Sequence, residues 1–138
     1  MSRSPRRTLP RQPRIALAED DDDQRQALEA ALVAEGFEVI SFEDGAELLD
    51  YFDVEGSAPA DVIVADLHMP GCSGLEGLER ARARGVRVPI FVVTGSNAPE
   101  VQARLAQLGN MLFFQKPVDP ELLAAAISSV ASVLRETP

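Results

Sequence analysis

Residues 57–74, SAPADVIVADLHMPGCSG, decide how the chain is read. Residues 62–65 are apolar and form a short buried strand running straight into Asp66. Pro70, Gly71 and Gly74 then prevent regular structure from continuing. In an open α/β sheet the carboxyl ends of the strands border the ligand crevice, so an acid there stands where a ligand is held. Taken alone, Asp66 suits a helix cap or a turn equally well. Its company on the same rim tips the reading: Glu19 and Asp20 follow a first strand, Thr94 a fourth and Lys116 a fifth.

Upstream, residues 15–18 read as an apolar strand ended by five consecutive acids, residues 19–23. Like charges crowded together repel and require water or a cation. A solvated face accounts for Asp22 and Asp23, and Asp21 with Gln24 reads as a capping box. Glu19 and Asp20 are left over at the strand end. A helix follows to about residue 35, its buried stripe being Ala27, Leu28, Ala31 and Leu32, and Gly36 closes it. Residues 37–42 read as a second strand, followed by a short helix carrying Leu48, Leu49 and Phe52.

Downstream of Asp66, residues 75–84 read as a helix with Leu75, Leu78 and Ala81 inward. Residues 89–93 are a fourth strand whose unbroken apolar run suits cover on both faces. Val101, Leu105 and Leu108 keep helical spacing. Residues 111–114 are the fifth strand, and Asp119-Pro120-Glu121 starts a last helix through residue 134. Five strands alternating with five helices in such short units require a parallel sheet with right-handed crossovers, an α/β doubly wound fold.

Composition bounds the function. The 138 residues, 46% apolar and 25% charged, suit one globular domain. Apolar runs are too short for a membrane span, and the Arg-rich start lacks the apolar segment of a secretory signal. With Cys72 as its one cysteine the chain forms no internal disulfide, and a cytoplasmic location is expected. The net charge of −9 hides an asymmetry. Residues 1–14 hold five arginines and no acid, whereas the rest carries 8 basic and 22 acidic residues. Residues 1–14 are expected to be a disordered Arg/Pro-rich leader and residues 15–136 the folded domain. So acidic a body argues against direct nucleic-acid binding.

In a doubly wound sheet, Glu19, Asp20 and Asp66 converge around one small volume although they lie far apart in sequence. Oxygen ligands of this kind suit a hard divalent ion such as Mg²⁺, with Ca²⁺ an alternative lacking its usual loop. Zinc is disfavoured, because His68 and Cys72 have no further Cys or His to complete a site. Lys116 among acids reads either as a surface lysine in an ion pair or as a cation for an anionic substrate. Carboxylate, metal, the Thr94 hydroxyl and the Lys116 ammonium together make the equipment for phosphoryl transfer to an aspartate.

Residues 14–134 resemble the receiver (response regulator) domain of bacterial two-component signalling. The resemblance rests on Glu19-Asp20, on Asp66-Leu67-His68-Met69-Pro70 with Gly74 downstream, on Thr94, and on Lys116-Pro117. It implies a flavodoxin-like (βα)5 three-layer sandwich with strand order 2-1-3-4-5. It implies that Asp66 is the phosphoacceptor and that Asp20, Asp66 and the backbone carbonyl of His68 are Mg²⁺ ligands, with Glu19 acting through water. Thr94 and Lys116 would bind the phosphoryl oxygens, and Phe113 matches the aromatic that changes rotamer with Thr94. His68 and Ser96 occupy positions that tune phosphoryl lifetime in the family. Asn110 and Leu112 depart from the family pattern, on the output side of the molecule. Leu112 and Phe114, opposite in parity to Phe113, are expected to sit under a helix.

The implied partners are a sensor histidine kinase or phosphotransfer protein and a downstream docking protein or fused output domain. A homodimer through the fourth helix, fifth strand and last helix is also compatible. No output domain follows residue 138 in this sequence. The expected function is therefore a phospho-accepting switch that promotes its own phosphorylation and dephosphorylation without turning over an external substrate. The alternative is a phosphorylation-independent interaction module of the same fold, against which the intact acid cluster argues. A haloacid-dehalogenase-type phosphohydrolase would require a second acid where His68 stands.

Overall fold

The computed structural model describes residues 12–53, 60–67, 74–95 and 99–136. These residues form β1 (Arg14–Ala18), α1 (Asp22–Ala34), β2 (Glu38–Phe42), α2 (Gly45–Asp53), β3 (Val62–Asp66), α3 (Gly74–Ala83), β4 (Ile90–Thr94), α4 (Pro99–Ala106), β5 (Met111–Gln115) and α5 (Pro120–Glu136). The sheet is parallel throughout, in the order β2-β1-β3-β4-β5, which is the expected doubly wound topology. Most of the leader read from the sequence, residues 1–11, lies outside the described residues. No helix among the described residues is long and apolar enough to cross a membrane.

The strand order explains the burial. β3 and β4 are buried at every position and β1 at all but its first, whereas β2 and β5, at the edges, are mostly half-buried. Strands covered on both faces must be apolar at successive positions rather than alternating. Alternate side chains feed two cores. Ile15, Leu17, Val62, Val64, Phe91 and Val93 meet Leu28 and Leu32 of α1 and Leu123 and Ile127 of α5. Ala16, Ala18, Ile63, Ala65, Ile90 and Val92 meet Leu48, Leu75, Leu78 and Leu105 from α2, α3 and α4. Within this second layer α2 and α3 approach closely: a Cβ on Gly77 would lie 3.1 Å from the Gly45 carbonyl oxygen.

Two expectations are corrected. Ala27 is exposed rather than part of the buried stripe of α1, because it borders an open cleft beside the helix instead of a packed neighbour. Leu112 is 47% exposed, since β5 is an edge strand with a neighbour on one side only. Phe114 does go under the α1 and α5 layer, stacking on Phe91 with ring centroids 6.0 Å apart. The expected caps are present. The Gln24 N–H donates to Asp21 Oδ1 at 2.8 Å, and the Glu121 N–H donates to Asp119 Oδ1 at 2.9 Å. The Lys116–Pro117 peptide bond is cis.

Arg82, in the last turn of α3, links α3 to the end of α4. Its guanidinium donates to the carbonyls of Leu108, Val86 and Gly109 at 2.8 Å each and to that of Asn110 at 3.2 Å. Val86 lies in the turn after α3 and the other three in the turn after α4, so the guanidinium satisfies backbone acceptors that follow both helices. Asn110, held at φ 49°, returns a hydrogen bond from its side-chain amide to the Arg87 carbonyl at 3.0 Å. Burial lowers the Arg82 pKa without threatening its charge. Arg82→Met keeps the stem and removes every donor. It is expected to destabilise the domain by about 1–3 kcal/mol, read as a lower urea midpoint at unchanged slope; an unchanged midpoint would show that water replaces the guanidinium without loss.

Candidate functional site

The acid pocket is built from the carboxyl ends of β1, β3, β4 and β5. Pairing of β1 with β3 sets Ala18 beside Ala65, so the residues that follow, Glu19 and Asp66, emerge together at the rim. Glu19 is 5% exposed and Asp66 3%, while Asp20 is exposed. Ligand oxygens of Glu19, Asp20 and Asp66 all lie within 4.8 Å of one another. Carboxylate oxygens gathered this closely are the donor type that would hold a hard divalent ion such as Mg²⁺. A basin of about 730 Å³ opens above them, bordered also by Asp21, Asp22, Gln24, Gly95 and Lys116.

Lys116 reaches the pocket from the end of β5. Its Nζ donates to Asp66 Oδ2 at 2.7 Å, to Gln24 Oε1 at 2.8 Å and to Glu19 Oε1 at 3.4 Å. Its backbone N–H donates to the Thr94 carbonyl at 2.9 Å, tying the ends of β4 and β5 together. Thr94 is fully buried. In register Thr94 is opposite Gln115 and Val92 is opposite Phe113, so Thr94 and Phe113 stand on the same face of adjacent strands. That face is the one covered by α2, α3 and α4, against which Phe113 is half-buried.

The structure thus brings Glu19, Asp20, Asp66 and Lys116 into one pocket, while Thr94, fully buried, is joined to it through its carbonyl, which accepts from the Lys116 N–H. His68, Cys72 and Ser96 lie outside the described residues. Sequence reasoning missed Gln24 as a partner of Lys116. Its cap position accounted for it, and the signal for more was its place one turn into α1, directly beyond the acid run.

The response regulator receiver domain model matches residues 15–128. The chain belongs to this family. It is a phospho-accepting switch of two-component signalling whose phosphorylation changes a docking surface. Among curated relatives, a cyclic di-GMP phosphodiesterase of Thermotoga maritima is 34% identical over 114 residues, 83% of this chain and 30% of that protein. The transcriptional regulatory protein FixJ of Azorhizobium caulinodans is 33% identical over 115 residues, 82% of this chain and 52% of that protein. The receiver therefore spans between about a third and about half of these two relatives. A CheY-like receiver domain from Methanospirillum hungatei superposes with a TM-score of 0.81 at 24% identity, covering 92% of this chain and 99% of that one.

Electrostatics of the receiver pocket follow from burying two carboxylates with one ammonium. Burial chiefly pushes Glu19 up to about 7, with the Asp66 charge adding to it, while the Asp21 backbone N–H and Lys116 pull the other way. For Lys116, burial opposes the charged form, but the hydrogen bond to Asp66 and the charges of Asp66 and Glu19 outweigh it and raise its pKa. Between pH 4.5 and about 7 the metal-free folded state therefore keeps a proton on Glu19 that the unfolded chain has released. When the folded state binds more protons, stability falls as pH rises. Melting temperature of the metal-free protein is expected to decline across that window and to decline less in Glu19→Gln. Parallel curves for the two proteins would show that Glu19 ionises normally.

Proposed function

We propose that Asp66 is the phosphoacceptor, and that Glu19, Asp20 and Asp66, with the backbone carbonyl of His68, hold a Mg²⁺ ion. The observation that carries this reading is the buried Asp66 carboxylate, 2.7 Å from the Lys116 ammonium and within 4.8 Å of two further carboxylates. An Asp66 oxygen attacks the phosphorus of the donor. The bond from phosphorus to the donor, nitrogen in a phosphohistidine or oxygen in acetyl phosphate, breaks with its electron pair. Lys116 and the Thr94 hydroxyl neutralise the phosphoryl oxygens as charge shifts onto them. Bound Mg²⁺ supplies further charge neutralisation to the same oxygens.

The donor in this reading is a sensor histidine kinase or a phosphotransfer protein. The recipient is a docking protein or an output domain, and a homodimer would form through the same face. The surface in question is that of α4, β5 and α5. Leu112 on β5 is 47% exposed and Leu122 on α5 70% exposed, which supports an apolar docking face there. The lone Cys72 supports a cytoplasmic setting.

Intact-mass measurement with acetyl phosphate tests the acceptor. The wild type should gain one phosphoryl group in the presence of Mg²⁺ and much less without it, and Asp66→Asn should gain none while remaining folded. A mutant labelled to the same stoichiometry would sink the assignment. An unlabelled wild type would favour a phosphorylation-independent interaction module.

Thr94 and Phe113 form the proposed switch. A phosphoryl group on Asp66 draws the Thr94 hydroxyl toward it, and Phe113, on the same sheet face, is the bulky group able to fill the space vacated. Phe114, stacked on Phe91 across the sheet, stays in place. Beryllofluoride with Mg²⁺ should shift NMR resonances of Thr94, Phe113 and the α4 surface more than those of Phe114. Shifts confined to residues lining the acid pocket would rule out the aromatic switch.

A further inference from the structure

An apolar cleft of about 600 Å³ lies directly beneath the acid pocket, between α1 and the start of α5. Ala27, Leu28, Val118 and Leu123 line it, together with Lys116, Glu19, Gln24 and Asp66 from the acid pocket. The lysine stem therefore has the cleft, rather than a packed wall, on that side. A flexible four-carbon stem without close packing leaves its ammonium to be placed by whatever accepts its protons. Three groups do so here, Asp66, Glu19 and Gln24. Two of them are altered by the chemistry itself, since Asp66 becomes phosphorylated and Glu19 would face the metal.

We infer that Gln24 is a positioning residue for phosphoryl transfer, acting through Lys116. This deepens the phospho-accepting reading of the same pocket and rests on it. Among the three acceptors, Gln24 is the neutral one and the one that belongs to neither the acceptor carboxylate nor the acid cluster. Its amide oxygen lies 2.8 Å from Nζ, and because neither phosphorylation nor metal binding changes the amide, it can go on holding the ammonium at the rim when Asp66 and Glu19 are engaged. Two N–H donors remain to be shared between Asp66 and the incoming phosphoryl oxygens. Without Gln24 the ammonium collapses between the two buried carboxylates, where Coulomb attraction is strongest. There it neutralises the nucleophile instead of meeting the phosphoryl group.

Helix α1 places the amide for this role. Its backbone N–H is already fixed by Asp21 Oδ1 at 2.8 Å, and this bond survives any change of the Gln24 side chain. Gln24→Met preserves length and a good helix former while deleting the acceptor. Gln24→Glu keeps an acceptor for Lys116.

The experiment compares wild type, Gln24→Met and Gln24→Glu by acetyl phosphate labelling with Mg²⁺ and by ¹⁵N NMR of lysine ammonium groups. Gln24→Met should melt within a degree or two of the wild type and label about tenfold more slowly, the order expected when a reacting group loses its orientation. An ammonium held by three acceptors exchanges its protons slowly. The Lys116 Nζ signal, assigned by its loss in Lys116→Met, should therefore be visible in the wild type and in Gln24→Glu and weakened in Gln24→Met. A labelled wild type with an equally fast Gln24→Met and an unchanged ammonium signal overturns the proposal while leaving the acceptor assignment standing. An unlabelled wild type removes the phospho-accepting reading, and the proposal falls with it.

Discussion

The receiver depends on one charge imbalance. Two carboxylates, Glu19 and Asp66, are buried at the ends of central strands with a single ammonium between them. A buried charge is tolerated only when paired and hydrogen-bonded, and two carboxylates that share one ammonium repel each other. A proton on Glu19 relieves that repulsion, and a divalent cation held by Glu19, Asp20 and Asp66, as proposed, would do the same.

The fold is what makes this imbalance affordable in conformational terms. β1 and β3 are buried on both faces, so the backbone carrying Glu19 and Asp66 is fixed by two hydrophobic cores before any charge is considered. Loop ends without that support would move apart under repulsion. Lys116 arrives by a different route, on the edge strand β5, and its position is secured through its backbone N–H on the Thr94 carbonyl. The two sides of the pocket therefore differ in rigidity: the acids sit on central strands, the ammonium on a peripheral one.

The alternation of strands and helices, the strand ends and the two aspartate caps were all legible in the sequence, because apolar runs, glycines and acids mark them locally. Glu19 and Asp20 stood out because no helix explanation used them, and the register of β1 with β3 converts that leftover into a shared pocket with Asp66. Other features were not legible for a common reason. Ala27 and Leu112 are apolar at helix or strand spacing, yet their exposure is decided by where a cleft opens beside α1 and by which strand is the edge. Arg82 holds four carbonyls contributed by two separate turns, and backbone acceptors leave no trace in residue type. Gln24 had a sufficient local role as part of a cap, which hid its tertiary one.

The site and the docking face share one strand pair. β4 ends in Thr94, β5 carries Phe113 and Lys116 follows it directly, so under the proposed switch a change at the phosphoryl group would reach the aromatic within two residues of the same ladder. How far it then spreads is set by α4. This helix has a single buried side chain, Leu105, in its last turn, and the Arg104–Glu79 ion pair and the Arg82 clamp also fall at or beyond that turn. Its first turn, from Pro99, contributes Val101, half-buried against the same core. The helix is thus pinned to the body of the domain most firmly at its carboxyl end, where the Arg82 guanidinium and the Arg104–Glu79 ion pair add to the burial of Leu105.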